Sequence, residues 1–97
     1  MAGYLIVTIQ SISDLEKIQA YRQQAWPTIE KYGGESLVTP RGQHQFTEGE
    51  PAAGMVVYRF PSYEKAVQWY NSPEYQAAKA IREGAADIRV VITEGTD

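Results

Sequence analysis

Three segments of this chain, residues 4–9, 55–60 and 88–93, predict β-strands that are apolar on both faces. Successive side chains of a strand point to opposite faces, so Leu5 and Val7 share one face and Ile6 lies on the other. An antiparallel sheet with one solvated face would instead alternate apolar and polar residues. Both faces must therefore be covered, and the predicted helices are too few to cover more than one. A second copy of the protein is the simplest cover, so we expect a homodimer.

Length and composition limit the classes of protein to consider. The 97 residues suit one domain over residues 1–97. A net charge of −3 provides no basic stripe, so no nucleic-acid partner is expected. There is no cysteine, which excludes disulfides, thiolate catalysis and zinc–thiolate sites. The first apolar run is too short for a signal peptide or a membrane span. We therefore expect a cytoplasmic location and no membrane partner.

A first helix is predicted after the first strand. Ser13 is the expected N-cap, with Glu16 as its capping-box partner. Pro27 predicts a kink or break beside Trp26, because proline removes one backbone hydrogen bond. Glycines at positions 33 and 34 then end the helix. Apolar and aromatic residues at spacings of three and four form one buried stripe: Leu15, Ile18, Tyr21, Ala25, Ile29 and Tyr32.

The rest of the chain predicts, in order, a strand over 35–41, a hairpin over 41–55, a strand over 55–60, a helix over 62–70, a helix over 72–84 and a strand over 88–93. Residues 43–47 of the hairpin predict a short ribbon. Ser62 and Ser72 are the expected N-caps of these two helices, and Pro73 after Ser72 is also typical of a helix start. Gly84 is typical of a helix end.

This order is β-α-β-β-α-β with the second helix in two pieces, which is the split βαβ or ferredoxin-like pattern. The predicted fold class is α+β, with a four-stranded antiparallel sheet and helices on one face only. The second face would pack against the sheet of a partner protomer about 10 Å away.

Residues 60–82 read F-P-S-Y-E-K-A-V-Q-W-Y-N-S-P-E-Y-Q-A-A-K-A-I-R. With Y-L-I-V at 4–7, Y-G-G at 32–34, R-G at 41–42 and E-G at 48–49 and 94–95, the chain resembles the small proteins grouped as domain of unknown function 1330. The resemblance covers nearly the whole chain. It implies a ferredoxin-like protomer and a homodimer whose two sheets form a dimeric α/β barrel. It implies no reaction, although superfamily relatives include cofactor-free monooxygenases, lactone isomerases, polyketide cyclases and haem-degrading enzymes. Relatives usually carry an aromatic and a basic residue after the E-G at 48–49. This chain has Glu-Pro-Ala-Ala at 50–53 instead.

His44 is the only histidine, so an imidazole base or haem ligand would have to be this residue. Its hairpin setting equally suits an exposed loop residue. With no second histidine and no acidic pair at ligand spacing, we expect no metal site and no cofactor.

Arginines are the candidate anion-binding groups. Arg59 shares a strand face with Met55 and Val57, where its charge needs either an ion-pair partner or an anionic ligand. Arg82 lies near a helix end, where the helix dipole also favours a cation. Arg41 closes the second strand beside the hairpin and would reach the same cleft mouth.

Aromatic side chains complete the candidate site. Helices that break beside a proline leave a gap above the sheet, and we expect Tyr21, Trp26, Trp69 and Tyr70 to line it. Such a gap suits a flat or aromatic ligand.

The sequence supports two functional hypotheses. The first is a cofactor-independent enzyme, of isomerase, cyclase or monooxygenase type, or a substrate-binding auxiliary, for a small organic acid or aromatic metabolite. Arg59 or Arg82 would hold a carboxylate or enolate, while tyrosines such as Tyr21, together with His44, handle protons. The alternative is a non-catalytic dimeric binding or stress-associated protein.

Overall fold

The computed structural model describes residues 1–97. The elements are β1 (Gly3–Ile12), α1 (Leu15–Lys31), β2 (Glu35–Val38), β3 (Gly54–Phe60), α2 (Tyr63–Tyr70), α3 (Pro73–Ile81) and β4 (Ala86–Glu94). The four strands form one sheet in the order β2-β3-β1-β4, and all neighbouring pairs are antiparallel. This is the ferredoxin-like fold, so the predicted fold class is confirmed.

The strand register decides which side chains share a face. Leu5 lies opposite Tyr58 on β3 and Ile92 on β4, and these residues face the helices. Ile6, one position on, lies opposite Val57 and Val91 on the other side of the sheet. The apolar pattern on both faces is therefore real, and the chain's own helices cover only one of them.

The core lies between the helices and that covered face. Phe60 and Trp69 are at most 1% exposed, and their rings lie 5.4 Å apart. The Tyr75 ring lies 4.1 Å from that of Trp69. These large aromatic side chains contribute much of the buried area that stabilises so small a domain.

Helix α1 differs from the prediction at its start and in its middle. Asp14, not Ser13, is the N-cap, and its carboxylate accepts a hydrogen bond from the backbone N–H of Lys17 at 3.2 Å. Pro27 lies inside a helix that continues to Lys31 without a break. Thr28 and Ile29, which follow the proline, are buried. Their packing offsets the roughly 3 kcal/mol that an internal proline costs.

The long connection between β2 and β3 also differs from the prediction. Strand β2 ends at Val38 instead of residue 41, and residues 43–47 form no strand. The two glycine stops are confirmed: Gly33 and Gly84 have φ of 82° and 76°, the left-handed conformation that glycine adopts easily. None of the three helices has the length and apolar character needed to cross a membrane.

Candidate functional site

A cavity of about 290 Å³ lies between α1, α3 and the covered face of the sheet. Sixteen of its 18 lining residues are hydrophobic or aromatic. The two others are Arg22 and Arg82. Trp26 and Val90, each 38% exposed, lie where the cavity reaches the surface. An apolar cavity with a few polar groups is typical of a small-molecule binding site, and this volume is at the small end of the usual range.

Three polar side chains meet in the wall of this cavity. The hydroxyls of Tyr21 on α1 and Tyr75 on α3 lie 2.9 Å apart. The Arg82 Nη2 atom donates a long hydrogen bond of 3.5 Å to the Tyr75 hydroxyl. The guanidinium carbon of Arg82 also lies 5.2 Å from the centre of the Tyr21 ring, which is cation–π geometry. We call Tyr21, Tyr75 and Arg82 the donor cluster.

Arg82 is incompletely satisfied within this cluster. Its Nε atom is buried and has no hydrogen-bond partner. Burial opposes the charge of the guanidinium, but the hydroxyls of Tyr75 and Tyr21 outweigh this effect and raise its pKa. The side chain is therefore a cation at any physiological pH, and its buried Nε–H group has no acceptor.

Burial also raises the pKa of the Tyr21 hydroxyl, and the neighbouring Tyr75 raises it further, against the opposing charge of Arg82. Tyr21 therefore keeps its proton at neutral pH. It can donate a hydrogen bond, but it cannot serve as a base in the free protein.

Two further polar side chains, Tyr58 and Arg22, lie at the surface end of the cavity. The ring of Tyr58 on β3 packs 5.8 Å from that of Trp26. Burial raises the pKa of Tyr58, while the positive charge of Arg22 opposes this shift. Arg22 and Trp26 are four residues apart, so they lie on the same face of α1.

Of the predicted gap-lining residues, Tyr21, Trp26 and Trp69 line the cavity, and so does Arg82. The indole N–H of Trp69 donates to Thr28 Oγ1 at 3.0 Å, so this polar group is already satisfied. Tyr70 is partly buried beside the cavity, with its ring 5.5 Å from that of Tyr75.

The structure puts His44 and Arg41 elsewhere. Both are exposed in the connection between β2 and β3, and neither lines the cavity. The imidazole Nδ1 of His44 lies 2.9 Å from the carbonyl oxygen of Gly42, and its ring packs edge-on against Phe46 at 5.7 Å.

Arg59 lies on the opposite side of the sheet from the cavity. It is paired in register with Tyr4 and Glu35, on the face that the helices do not cover. Its guanidinium forms ion pairs with Glu35 at 3.6 Å and Asp97 at 3.5 Å. The structure therefore does not bring Arg59 together with Tyr21 and Arg82, and its charge has protein partners.

Three cavity residues that carry polar groups were absent from the predicted site: Arg22, Tyr58 and Tyr75. A signal for Arg22 exists in the sequence, because it lies four residues after Ile18 and four before Trp26 on one helical face. Tyr75 gives no such signal, since its contact with Tyr21 spans 54 residues. No group of three or more His, Asp or Glu side chains is arranged to hold a metal ion.

Residues 2–96 match the family model described as a domain of unknown function, DUF1330. The chain belongs to this family. The comparison with curated proteins finds no match. Family membership thus agrees with the predicted resemblance and assigns no reaction.

Solved structures share the fold. A protein of unknown function from Rhodopseudomonas palustris is 17% identical, with a TM-score of 0.79 over 99% of this chain and 83% of that chain. A dimeric ferredoxin-like protein of unknown function from Jannaschia is 14% identical, with a TM-score of 0.61 over 98% and 100%. A protein from Nitrosomonas europaea named for the antibiotic biosynthesis monooxygenases is 12% identical, with a TM-score of 0.58 over 100% of both chains. At these identities the likeness concerns the fold alone.

Proposed function

We propose that this protein binds a small organic acid or aromatic metabolite in the cavity between its helices and its sheet. In this proposal it acts there as a cofactor-independent enzyme of isomerase, cyclase or monooxygenase type, or as a substrate-binding auxiliary. The observation that carries the proposal is the Arg82 guanidinium, a cation in the wall of a largely apolar cavity. A charged group in such surroundings is costly unless it is paired. An acidic ligand would pair with it through charge-assisted hydrogen bonds.

The apolar walls support the same proposal. Isoleucine, valine and leucine side chains from three strands face the aromatic rings of Tyr21, Trp26 and Trp69 across the cavity. A flat apolar body would be stabilised there by about 25 cal/mol for each Å² of apolar surface removed from water. The arginine then selects, among ligands of similar size, those that carry an anionic group.

A second candidate is a non-catalytic binding or stress-associated protein. One observation favours it: the lining of the cavity contains no Asp, Glu, His or Lys. General acid–base catalysis ordinarily relies on such side chains within hydrogen-bond reach of the substrate. Ligand binding without chemistry needs none of them.

We also propose that the protein is a homodimer in which two uncovered sheet faces pack together as a dimeric α/β barrel. One row of apolar side chains crosses that face on all four strands: Val38, Val57, Ile6 and Val91. Val91 is 51% exposed and Val38 40% in the single chain. Exposed apolar patches of this kind are typical of protein interfaces. The dimeric description of the Jannaschia relative supports the proposal. The cytoplasmic location stays a prediction.

Calorimetric titration with a panel of small carboxylic acids and phenols tests the binding proposal. Arg82→Met keeps roughly the shape of the side chain and removes the charge. We expect it to weaken binding of an acidic ligand by about 1.5 to 3 kcal/mol, the range for hydrogen bonds to charged groups. Arg59→Met tests the arginine on the other face and should leave affinity unchanged. Arg41→Met, in the exposed connection between β2 and β3 and not among the cavity residues, is the matched control. Equal affinities for the wild type and Arg82→Met would refute the role of Arg82.

A further inference from the structure

The charges of the cavity wall are opposite in sign to the net charge of the chain. The protein has 12 Asp and Glu residues against 9 Lys and Arg residues, and its net charge is −3. None of the acidic residues lines the cavity, and its charged lining residues are Arg22 and Arg82. The cavity is therefore a positive site on an acidic protein, and such a site raises the local concentration of anions.

The two arginines differ in their exposure to water. Arg82 is partly buried, close to the hydroxyl of Tyr75 and the ring of Tyr21, whereas Arg22 is exposed. An exposed charge is surrounded by water and contributes little to the affinity of a bound partner. A charge that is partly withdrawn from water interacts more strongly with a ligand beside it. The two arginines should therefore act at different steps of binding.

Arg22 lies at the mouth of the cavity and has no ion-pair partner. Its positive charge opposes the burial that raises the pKa of Tyr58, so the guanidinium lies near that hydroxyl on the β3 side of the mouth. The residues three and four positions away on α1, which share its side of the helix, are all uncharged: Ile18, Gln19, Ala25 and Trp26. The charge of Arg22 at the mouth is therefore not neutralised by a carboxylate.

We infer that Arg22 selects acids during entry: it attracts an anionic ligand to the mouth, and Arg82 then holds the anionic group inside the cavity. Charges at the rim of a binding site mainly change the association rate and its dependence on salt, whereas a desolvated charge contact mainly changes the dissociation rate. This inference rests on the proposed cavity-binding function. It adds a kinetic reason why an acid is preferred over a neutral molecule of the same shape.

Temperature-jump relaxation with tryptophan fluorescence measures both rates, because the two tryptophans of the chain, Trp26 and Trp69, line the cavity. The probes are para-nitrobenzoate and para-nitrobenzamide, which share a nitro-substituted ring and differ in charge. We expect the benzoate to associate with the wild type about 5-fold faster at 0.01 M than at 1 M ionic strength, the effect of two unit charges a few ångströms apart in water. The benzamide should associate at one rate in both.

Variants identify the arginine responsible for each step. Arg22→Met should slow association of the benzoate about 5-fold at 0.01 M ionic strength and leave its dissociation rate nearly unchanged. Arg22→Lys keeps the charge and should keep the wild-type association rate. Arg82→Met should instead raise the dissociation rate roughly 10- to 150-fold. Arg41→Met changes the net charge equally at an exposed position outside the cavity, so it is the control.

Circular dichroism establishes that each variant folds, and Arg22→Gln is the second neutral variant if Arg22→Met does not. The inference is wrong if the neutral variant binds the benzoate at the wild-type association rate, slows both probes equally, or mainly raises the dissociation rate; in each case binding in the cavity stands. If the wild type binds neither probe, the inference and the cavity-binding proposal are both refuted. Slower association of the benzoate alone, absent at 1 M ionic strength and in Arg22→Lys, supports the inference.

Discussion

The hydrogen bond between Trp69 and Thr28 gives a sharp test of how α1 and α2 are held together. The Trp69 indole N–H donates to Thr28 Oγ1 at 3.0 Å, and that hydroxyl donates to the Ala25 carbonyl oxygen at 2.6 Å. Trp69 is 1% exposed and Thr28 8%. Thr28→Val replaces the hydroxyl with a methyl group of similar volume and similar helix propensity. The indole N–H is then left buried without a partner.

The expected cost of Thr28→Val is about 1 to 3 kcal/mol, the range for an unsatisfied buried polar group. Each kcal/mol should lower Tm by about 4 to 8 °C in a domain of this size. In a Trp69→Phe background the N–H is absent, so Thr28→Val should be nearly neutral. The difference between the two backgrounds is the coupling energy of the pair.

Urea unfolding of the four proteins in this cycle, at one fixed protomer concentration, measures these energies. Thr96→Val, at an exposed position beyond β4, controls for the hydroxyl-to-methyl change itself. The reasoning is refuted if Thr28→Val lies within about 0.5 kcal/mol of the wild type, the usual range for surface substitutions. An equal cost in both backgrounds would also refute it, because the loss would then not depend on the indole.

Three further predictions concern other parts of the molecule. Gly3→Ala should strongly destabilise the fold in urea, since its new Cβ would lie 2.6 Å from the Ser62 carbonyl oxygen; wild-type stability would contradict this packing. Lys31 lowers the pKa of Glu74, so this pair stabilises the fold above pH 4.5 and the effect is lost as the pH falls through the lowered value. Glu74→Gln should therefore reduce Tm at pH 7 but not at pH 2, and a uniform offset would argue against the ion pair. Val91→Lys should convert the proposed homodimer to a folded monomer in light scattering, whereas a monomeric wild type at micromolar concentration would refute the proposed interface.

Local signals in the sequence were sufficient for most element boundaries. Ser62 and Ser72 cap α2 and α3 as predicted, because a serine side chain satisfies backbone N–H groups only a few residues away. The predicted N-cap at Ser13 and the predicted helix break at Pro27 were wrong for different reasons. Asp14 and Ser13 are adjacent and both suit an N-cap, so local preference does not separate them. Helix α1 continues through Pro27 because the residues after the proline pack in the core. The helix preferences of individual residues do not include such tertiary packing.

The sequence by itself determined the order of elements, the ferredoxin-like fold and the alternation that puts Arg59 on the same strand face as Val57. The alternation of side chains along a strand does not indicate what covers either face of the sheet. Only the tertiary structure assigned that face to the side without helices, where Glu35 and Asp97 pair with Arg59. Likewise, Tyr21 and Tyr75 are ordinary helix residues until α1 and α3 pack together. The site depends on contacts between residues far apart in the chain, and no local pattern encodes such contacts.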